Sequence, residues 1–239
     1  MAPLTPKIIY EDKDVLVINK PAGLLVHKIT AHTTSKTLVD WLIKKYPAIK
    51  KVGDDPENRP GIVHRLDKET SGVMIVAKNP QAFEFLKGQF KARKVRKVYV
   101  ALTWGQFEMR SGIIEKPIGI KSGTLKRTVK IDATTKMIKE ARTVYRVAQE
   151  AGPYSLLEVE PLTGRTHQIR VHLAAAHHPV VGDRLYSQRA LPKGLKRLFL
   201  HARELEITLP SLVRKSFSVP LPKELALNQF GMAASDKKR

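Results

Sequence analysis

The chain has no cysteine. That absence excludes disulfides, thiolate chemistry, iron–sulfur clusters and cysteine-containing zinc sites, and it suits a reducing compartment. Acid is also scarce: 22 Asp and Glu stand against 43 Lys and Arg, for a formal charge of +21. Such an imbalance calls for a polyanionic partner, and nucleic acid fits better than a membrane face. No stretch approaches the ~20 apolar residues that a membrane span needs, and no concentrated basic amphipathic helix is present. The opening Met1-Ala2-Pro3-Leu4-Thr5-Pro6 lacks the apolar core of a secretory signal and the Arg-rich helix of a transit peptide, so a cytoplasmic location is expected. Internal repeats and low-complexity linkers are missing as well.

What remains is ample for a core: 42% of the 239 residues are hydrophobic, enough for one large domain or two small ones. Residues 7–10 and 15–19 read as an antiparallel hairpin around the polar turn Glu11-Asp12-Lys13-Asp14. The second strand stops at Lys20-Pro21-Ala22-Gly23, where proline removes a backbone donor and glycine permits a tight turn. Leu38, Trp41, Leu42 and Tyr46 recur on a helical period ended by Pro47, which predicts a helix with Trp41 in the core. A second helix is predicted after Asn79-Pro80, an N-cap followed by proline at the first helical position, with Phe83, Leu86 and Phe90 as its packing stripe. Its end gathers Lys87, Lys91, Arg93, Lys94, Arg96 and Lys97, a run expected to meet phosphate.

Residues 97–102 alternate, so Val98 and Val100 share one face of a strand while Tyr99 and Ala101 share the other. With the valines toward the core, Tyr99 is expected to face a cleft. Loops and short strands are assigned to 105–136, and a hairpin to 142–147 and 155–160 around Gly152-Pro153. A further strand is read at 200–209, where Leu205, Ile207 and Leu209 alternate. One short helical stretch follows Pro220-Leu221-Pro222, and 234–239 is expected to fray.

Two stretches are dense in polar and turn residues. The first is His64-Arg65-Leu66-Asp67-Lys68-Glu69-Thr70-Ser71-Gly72, lying between Pro60-Gly61-Ile62-Val63 and the β-branched run from Val73. Asp67 thus falls where one short strand ends and another begins, a loop position on a rigid scaffold. The second runs from Leu162 to Leu173 and contains Gly164-Arg165-Thr166-His167-Gln168-Ile169-Arg170-Val171-His172. Thr166 is predicted to cap a helix whose buried face carries Ile169, Leu173 and Ala176 and which ends near His178-Pro179. Arg165 then sits at the helix entrance, held by backbone. Histidines 167, 172, 177 and 178 raise the question of a metal. A five-residue step turns a helix by ~500°, so 167 and 172 point to different faces, unlike a metal-binding i, i+4 pair. Capping or hydrogen-bonding roles are expected for them, with no metal.

These stretches resemble a known family. His-Arg-Leu-Asp-x-x-Thr-Ser-Gly is similar to the signature of the RluA/RluC/RluD-type pseudouridine synthases, with Asp67 on the catalytic aspartate. Asn19-Lys20-Pro21-Ala22-Gly23 resembles that family's first motif, and Lys97-Val98-Tyr99-Val100-Ala101 its second. Gly164 to Leu173 resembles the third, and Val180-Val181-Gly182-Asp183-Arg184-Leu185-Tyr186 continues the likeness. The resemblance implies an α+β fold: a largely antiparallel mixed sheet with flanking helices and a central basic active-site cleft. It implies a single catalytic domain over 1–239, ordered from about 7 to 229, with a short lead-in, a basic tail and no separate N-terminal RNA-binding domain.

The implied reaction breaks the C1′–N1 bond of a specific uridine in structured RNA, rRNA or tRNA, and rejoins the base through C5, with no cofactor, in a monomer. Asp67 acts on the sugar or base, Arg165 pairs with it and keeps it charged, and Tyr99 stacks on the flipped base. RNA contacts are expected from His64, Arg65, Lys91, Arg93, Lys94, Arg96 and Arg170, with loop-fixing as the other role for His64 and Arg65. A catalytically inactive RNA-binding protein of the same fold is the main alternative, and loss of Asp67, Tyr99 or Arg165 would mark it; all three are present. A glycosidase-like hydrolase needs two carboxylates, and the only nearby second acid, Glu69, falls where the family leaves the residue free.

Overall fold

A computed structural model describes residues 4–28, 34–124 and 126–232, so the tail expected to fray at 234–239 lies outside the described residues. In chain order these residues form β1 (Lys7–Glu11), β2 (Val15–Lys20), α1 (Leu38–Lys45), β3 (Ser71–Ala77), α2 (Pro80–Lys91), β4 (Arg96–Trp104), β5 (Ser111–Glu115) and β6 (Ile118–Lys121). There follow β7 (Arg127–Thr128), β8 (Thr135–Lys139), β9 (Arg142–Ala151), β10 (Tyr154–Pro161), α3 (Gln168–Ala175), β11 (Leu200–Thr208) and β12 (Arg214–Ser218). Antiparallel strands with few helices make this an α+β protein. The chain divides into two compact units, 1–97 with 202–219 and 98–201 with 220–239.

In the first unit the strand order is β1-β2-β3-β11, with β12 paired to β11. β1 and β2 form the predicted hairpin, and the Asp12 carboxylate closes its turn by accepting the Asp14 and Val15 N–H groups at 2.8 and 2.7 Å. β2 and β3 are almost entirely buried, which is why both read as continuous apolar runs. α1 opens with a capping box: the Thr37 hydroxyl accepts the Asp40 N–H at 3.2 Å, and the Asp40 carboxylate accepts the Thr37 N–H at 2.8 Å. Trp41 departs from expectation. Leu38, Val39 and Leu42 fill the inward face of α1, so Trp41 is only half-buried, edge-on to Tyr46 at 6.3 Å. α2 starts as predicted, with the Asn79 side chain accepting the Ala82 N–H at 2.8 Å, and it buries Ala82, Phe83 and Leu86.

The strand expected at 60–63 reduces to one antiparallel bridge, Ile62 to Val76, because Gly61 at φ 70° leaves the extended region. β12 has no counterpart in the sequence expectations: only Phe217 of its five residues points inward, so no period of two is visible.

In the second unit the order is β4-β10-β9-β5, and β7-β6-β8 form a separate small sheet. β4 is covered on both sides. Val100 and Leu102 pack with Leu156, Phe199 and Phe230, while Ala101 packs with Leu157, Val159 and, from α3, Ile169 and Leu173. Tyr99, opposite Val159, is half-buried against this second cluster, so the face expected to be open is itself a core face.

Gly72 fits its place for a steric reason. Its φ is 125°, and a Cβ there would lie 2.1 Å from the Ala202 carbonyl oxygen on β11. Gly72→Ala is expected to destabilise the protein by about 3 kcal/mol or more, seen as a lower urea midpoint. Gly88, inside α2 with nothing within 4 Å of its added Cβ, provides the opposite sign: Gly88→Ala should stabilise the protein by up to about 1 kcal/mol, seen as a higher urea midpoint.

Candidate active site

Asp67 lies in the first unit, and Tyr99 and Arg165 lie in the second. Asp67 is half-buried at the end of a short irregular stretch, flanked by buried Leu66 and followed by a turn in which the Thr70 N–H reaches the Asp67 carbonyl at 3.2 Å. What pins this loop is Lys20, the last residue of β2. Its side chain is wholly buried, and Nζ donates to the carbonyls of Pro21 and Leu24 at 2.9 Å each and to that of Lys68 at 3.1 Å. Lys68 O also accepts the Gly23 N–H at 2.8 Å, with Gly23 at φ 84°. The turn after β2 and the loop carrying Asp67 are thus joined through one ammonium and one carbonyl. No role was assigned to Lys20 from the sequence, yet a lysine closing a largely apolar, buried strand is a signal for such an anchor.

His64 holds the loop's other end. Its ring stacks on Phe90 of α2 with centroids 4.7 Å apart, and Nε2 accepts the Ile75 N–H at 3.0 Å. Burial, with a smaller contribution from nearby Lys97, pushes its pKa down to about 3, so the imidazole is neutral with its proton on Nδ1. Of its two expected roles, the geometry supports loop-fixing. Lys97 is itself pushed down to about 8 by burial. Arg65 is exposed, with Nη1 3.3 Å from His27 Nε2; a guanidinium only donates, so that nitrogen accepts. Burial first, then Arg65 and Arg59, hold His27 at about 4, with Asp55 acting weakly in the other direction. Lys91, Arg93 and Lys94 are exposed at the end of α2, and Arg96 is paired with Glu204 at 3.0 Å.

In the second unit the loop before α3 is organised by Gln168. Its Oε1 accepts the Thr163 hydroxyl at 2.6 Å and the Arg165 N–H at 3.0 Å, while Nε2 donates to the Arg142 carbonyl at 2.9 Å and to Thr143 Oγ1 at 3.0 Å. All four hydrogen-bonding positions of the amide are used. α3 begins one residue later than predicted: His167, at φ 55° and with no side-chain cap, stands at the N-cap in place of the expected Thr166. Arg165 is half-buried, fixed by Gln168 at its N–H and by Nε donating to the Glu140 carbonyl at 3.0 Å.

The remaining residues of this motif are structural. His172 Nε2 donates to the Lys116 carbonyl at 2.9 Å and Nδ1 accepts from the Thr143 hydroxyl at 2.9 Å. His167 Nδ1 meets the Tyr186 hydroxyl at 3.0 Å, and His178 Nδ1 meets the Trp104 carbonyl at 3.0 Å. Arg170 is buried and grips Asp183 with two bonds, Nε to Oδ2 at 2.7 Å and Nη2 to Oδ1 at 2.9 Å. Burial alone would raise the Asp183 carboxyl; Arg170 and the Leu185 and Tyr186 N–H groups hold it below the usual carboxylate range. The guanidinium expected to reach RNA is thereby engaged inside the protein.

Residues 14–175 match the family described as RNA pseudouridylate synthase. The chain belongs to this family and is an RNA pseudouridine synthase, an isomerase that modifies RNA. Over 232 residues it is 39% identical to ribosomal large subunit pseudouridine synthase D of Borreliella burgdorferi, covering 96% of this chain and 69% of that one. Over 211 residues it is 44% identical to an uncharacterized RNA pseudouridine synthase of Chloroflexus aurantiacus, covering 87% and 64% respectively. The chain spans 60% of the length of one such relative and 72% of another. Among solved structures, human RNA pseudouridylate synthase domain containing 4 superposes with a TM-score of 0.76 at 28% identity, covering 95% of this chain and 94% of that one.

Two outcomes follow from the anchors of the Asp67 loop. Lys20→Met takes the ammonium from the Pro21 and Leu24 carbonyls and leaves the Lys68 carbonyl with only the Gly23 N–H; it is expected to cost about 3 kcal/mol in urea unfolding and to slow single-turnover conversion, although the side chain is remote from solvent. A midpoint equal to wild type would show that the ammonium is dispensable. For His64 and His27 the unfolded chain takes up protons near pH 6.5 that the folded chain refuses until about pH 3 and 4. Their contribution is therefore full above about pH 6.5 and is lost as pH falls toward 3. The urea midpoint should decline across that window, and His64→Phe should make the decline shallower.

Proposed function

We propose that this chain isomerises one specific uridine in structured RNA, with Asp67 as the catalytic carboxylate. The observation that carries this reading is the Asp67 loop itself: an aspartate presented from a segment fastened at one end by buried Lys20 and at the other by neutral His64. A carboxylate is a weak nucleophile or base unless it is positioned, and this loop supplies the positioning. Following the family pattern, Arg165 is assigned as the cation that keeps Asp67 ionised, and Tyr99 as the ring against the extruded base. The fixed backbone and Nε of Arg165 support a directed rather than a wandering guanidinium. Breaking C1′–N1 and forming C1′–C5 leaves the oxidation state unchanged, so the reaction asks for no redox partner.

The RNA is taken to be large-subunit rRNA, on the names carried by the Borreliella and Pseudomonas aeruginosa relatives, with a tRNA stem-loop as the second candidate. Arg65, Lys91, Arg93, Lys94 and Arg96 are assigned to the RNA. His64 and Arg170 are left out, since their polar atoms serve the fold. The reading is completed by a monomer acting in the cytoplasm as one catalytic domain without a cofactor.

Asp67→Asn preserves shape and removes the ionised oxygen. It should abolish conversion of uridine in an rRNA transcript, followed by carbodiimide-dependent reverse-transcription stops, while RNA affinity stays nearly unchanged. Turnover close to wild type in that variant would transfer the chemistry to another residue.

A further inference from the structure

Two turns in the first unit break the same local rule. α2 ends with Arg93 at φ 57°, in the left-handed position after a helix that glycine usually takes; the Lys94 N–H reaches back to the Gln89 carbonyl at 3.0 Å. The β11–β12 hairpin turns through Pro210, Ser211 and Leu212, with the Leu212 N–H on the Leu209 carbonyl at 2.8 Å and the Leu209 N–H on the Val213 carbonyl at 2.9 Å. This is a type I turn closed by a left-handed bulge residue, again a position for glycine, and it holds Leu212 at φ 64°. Leu212 is 76% exposed and Val213 57%. Leu212 therefore bears an unfavourable backbone conformation and gains no burial in return. Strain without local compensation is what a surface selected for contact leaves behind.

The two turns belong to one body. The Gln89 side chain pairs with Thr208 as a strand would, Nε2 donating to its carbonyl at 2.6 Å and Oε1 accepting its N–H at 3.0 Å. Arg214, just past the hairpin tip, donates to the Lys94 carbonyl at 3.4 Å and pairs with Glu206 at 2.6 Å. Among the described residues no acid forms an ion pair with Lys91, Arg93 or Lys94. An apolar tip thus stands beside a cluster of exposed cations.

We propose that the end of α2 and the tip of the β11–β12 hairpin form one RNA-docking edge, in which Lys91, Arg93 and Lys94 take phosphates and Leu212 with Val213 packs against an unstacked base or ribose. The charge beside the tip selects RNA over an apolar protein surface, because burying these cations against such a surface would leave them without partners. The inference rests on the RNA-modifying function proposed above and adds to it a site of attachment apart from Asp67.

The test uses glycine, which relieves strain while removing the contact. Leu212→Gly and Arg93→Gly should each leave the melting temperature unchanged or higher, and each should weaken binding of a large-subunit rRNA transcript, by about tenfold for Leu212→Gly if its side chain becomes mostly buried. The slope of log affinity against log salt should fall by about one for Arg93→Gly and stay put for Leu212→Gly. Leu212→Asn, which tolerates the left-handed backbone, should behave like the glycine variant. Wild-type affinity and slope in all three variants overturns the docking edge while leaving Asp67's role intact, since conversion by the wild-type chain is measured on the same transcript. If Leu212→Gly instead dissolves a self-associated species in sedimentation without changing RNA affinity, the tip is a protein contact and the assignment to RNA is wrong. Failure of the wild-type chain to bind or convert the transcript sinks the parent function together with this inference.

Discussion

The Lys20 ammonium is the interaction on which the Asp67 loop depends. Burying a charge is expensive unless dipoles replace the water it gives up, and three backbone carbonyls do so here, one of them on Lys68, 48 residues further along the chain. Those carbonyls belong to irregular backbone that no ladder or helix satisfies, so the lysine and the two turns complete one another. The arrangement explains why Asn19-Lys20-Pro21-Ala22-Gly23 and the Asp67 stretch act as one device. Proline and Gly23 shape the turn, the lysine fills it, and the Lys68 carbonyl draws in the loop. A carboxylate placed one residue before that carbonyl has little freedom to drift.

The second unit secures Arg165 by the same economy of means with neutral groups. Gln168, Thr163, Thr143 and His172 form a connected buried hydrogen-bond network, and the arginine's backbone is one of its ends. Such a network is rigid only while complete, because each missing partner would strand a buried polar atom. Arg170 and Asp183 add a buried ion pair whose carboxylate also accepts two backbone N–H groups, tying α3 to the segment through Tyr186. In both motifs most of the polar residues are scaffolding, and a minority is left to meet substrate.

The chain's excess positive charge divides along the same line. Lys20 and Arg170 are drawn into the interior and Lys97 is half-buried, and there their neighbours and not the net charge decide what they do. The exposed cations at the end of α2 belong to the other class. Among them Arg93 is held in a left-handed conformation, and that expense is borne by the packed body of α2, with Phe83 and Leu86 buried and Gln89 clamped to Thr208. In the proposed reading, attachment to RNA and chemistry on RNA draw on different residues of this unit.

The amino-acid sequence by itself determined the local events: the Asp12 turn, the Thr37 and Asn79 caps, the β9–β10 hairpin around Gly152-Pro153, and the excess of cations. Each depends on residues within a few positions of one another, so propensity and spacing suffice. Asp67, Tyr99 and Arg165 were picked out by resemblance to a family, since nothing in their spacing states a chemistry. Only the tertiary structure decided which faces were covered. Trp41 left the core because Leu38, Val39 and Leu42 had filled it, and Tyr99 gained a packed neighbour cluster because α3 lies on a side of β4 that alternation reads as open. His167, not Thr166, stands at the start of α3, where the chain turns through a left-handed residue before the helix begins. The buried anchoring of Lys20 went unassigned, and Arg170 was expected to reach RNA, for the same physical reason: burial and hydrogen-bond partnership are set by segments distant in the chain, and a local pattern carries no record of them.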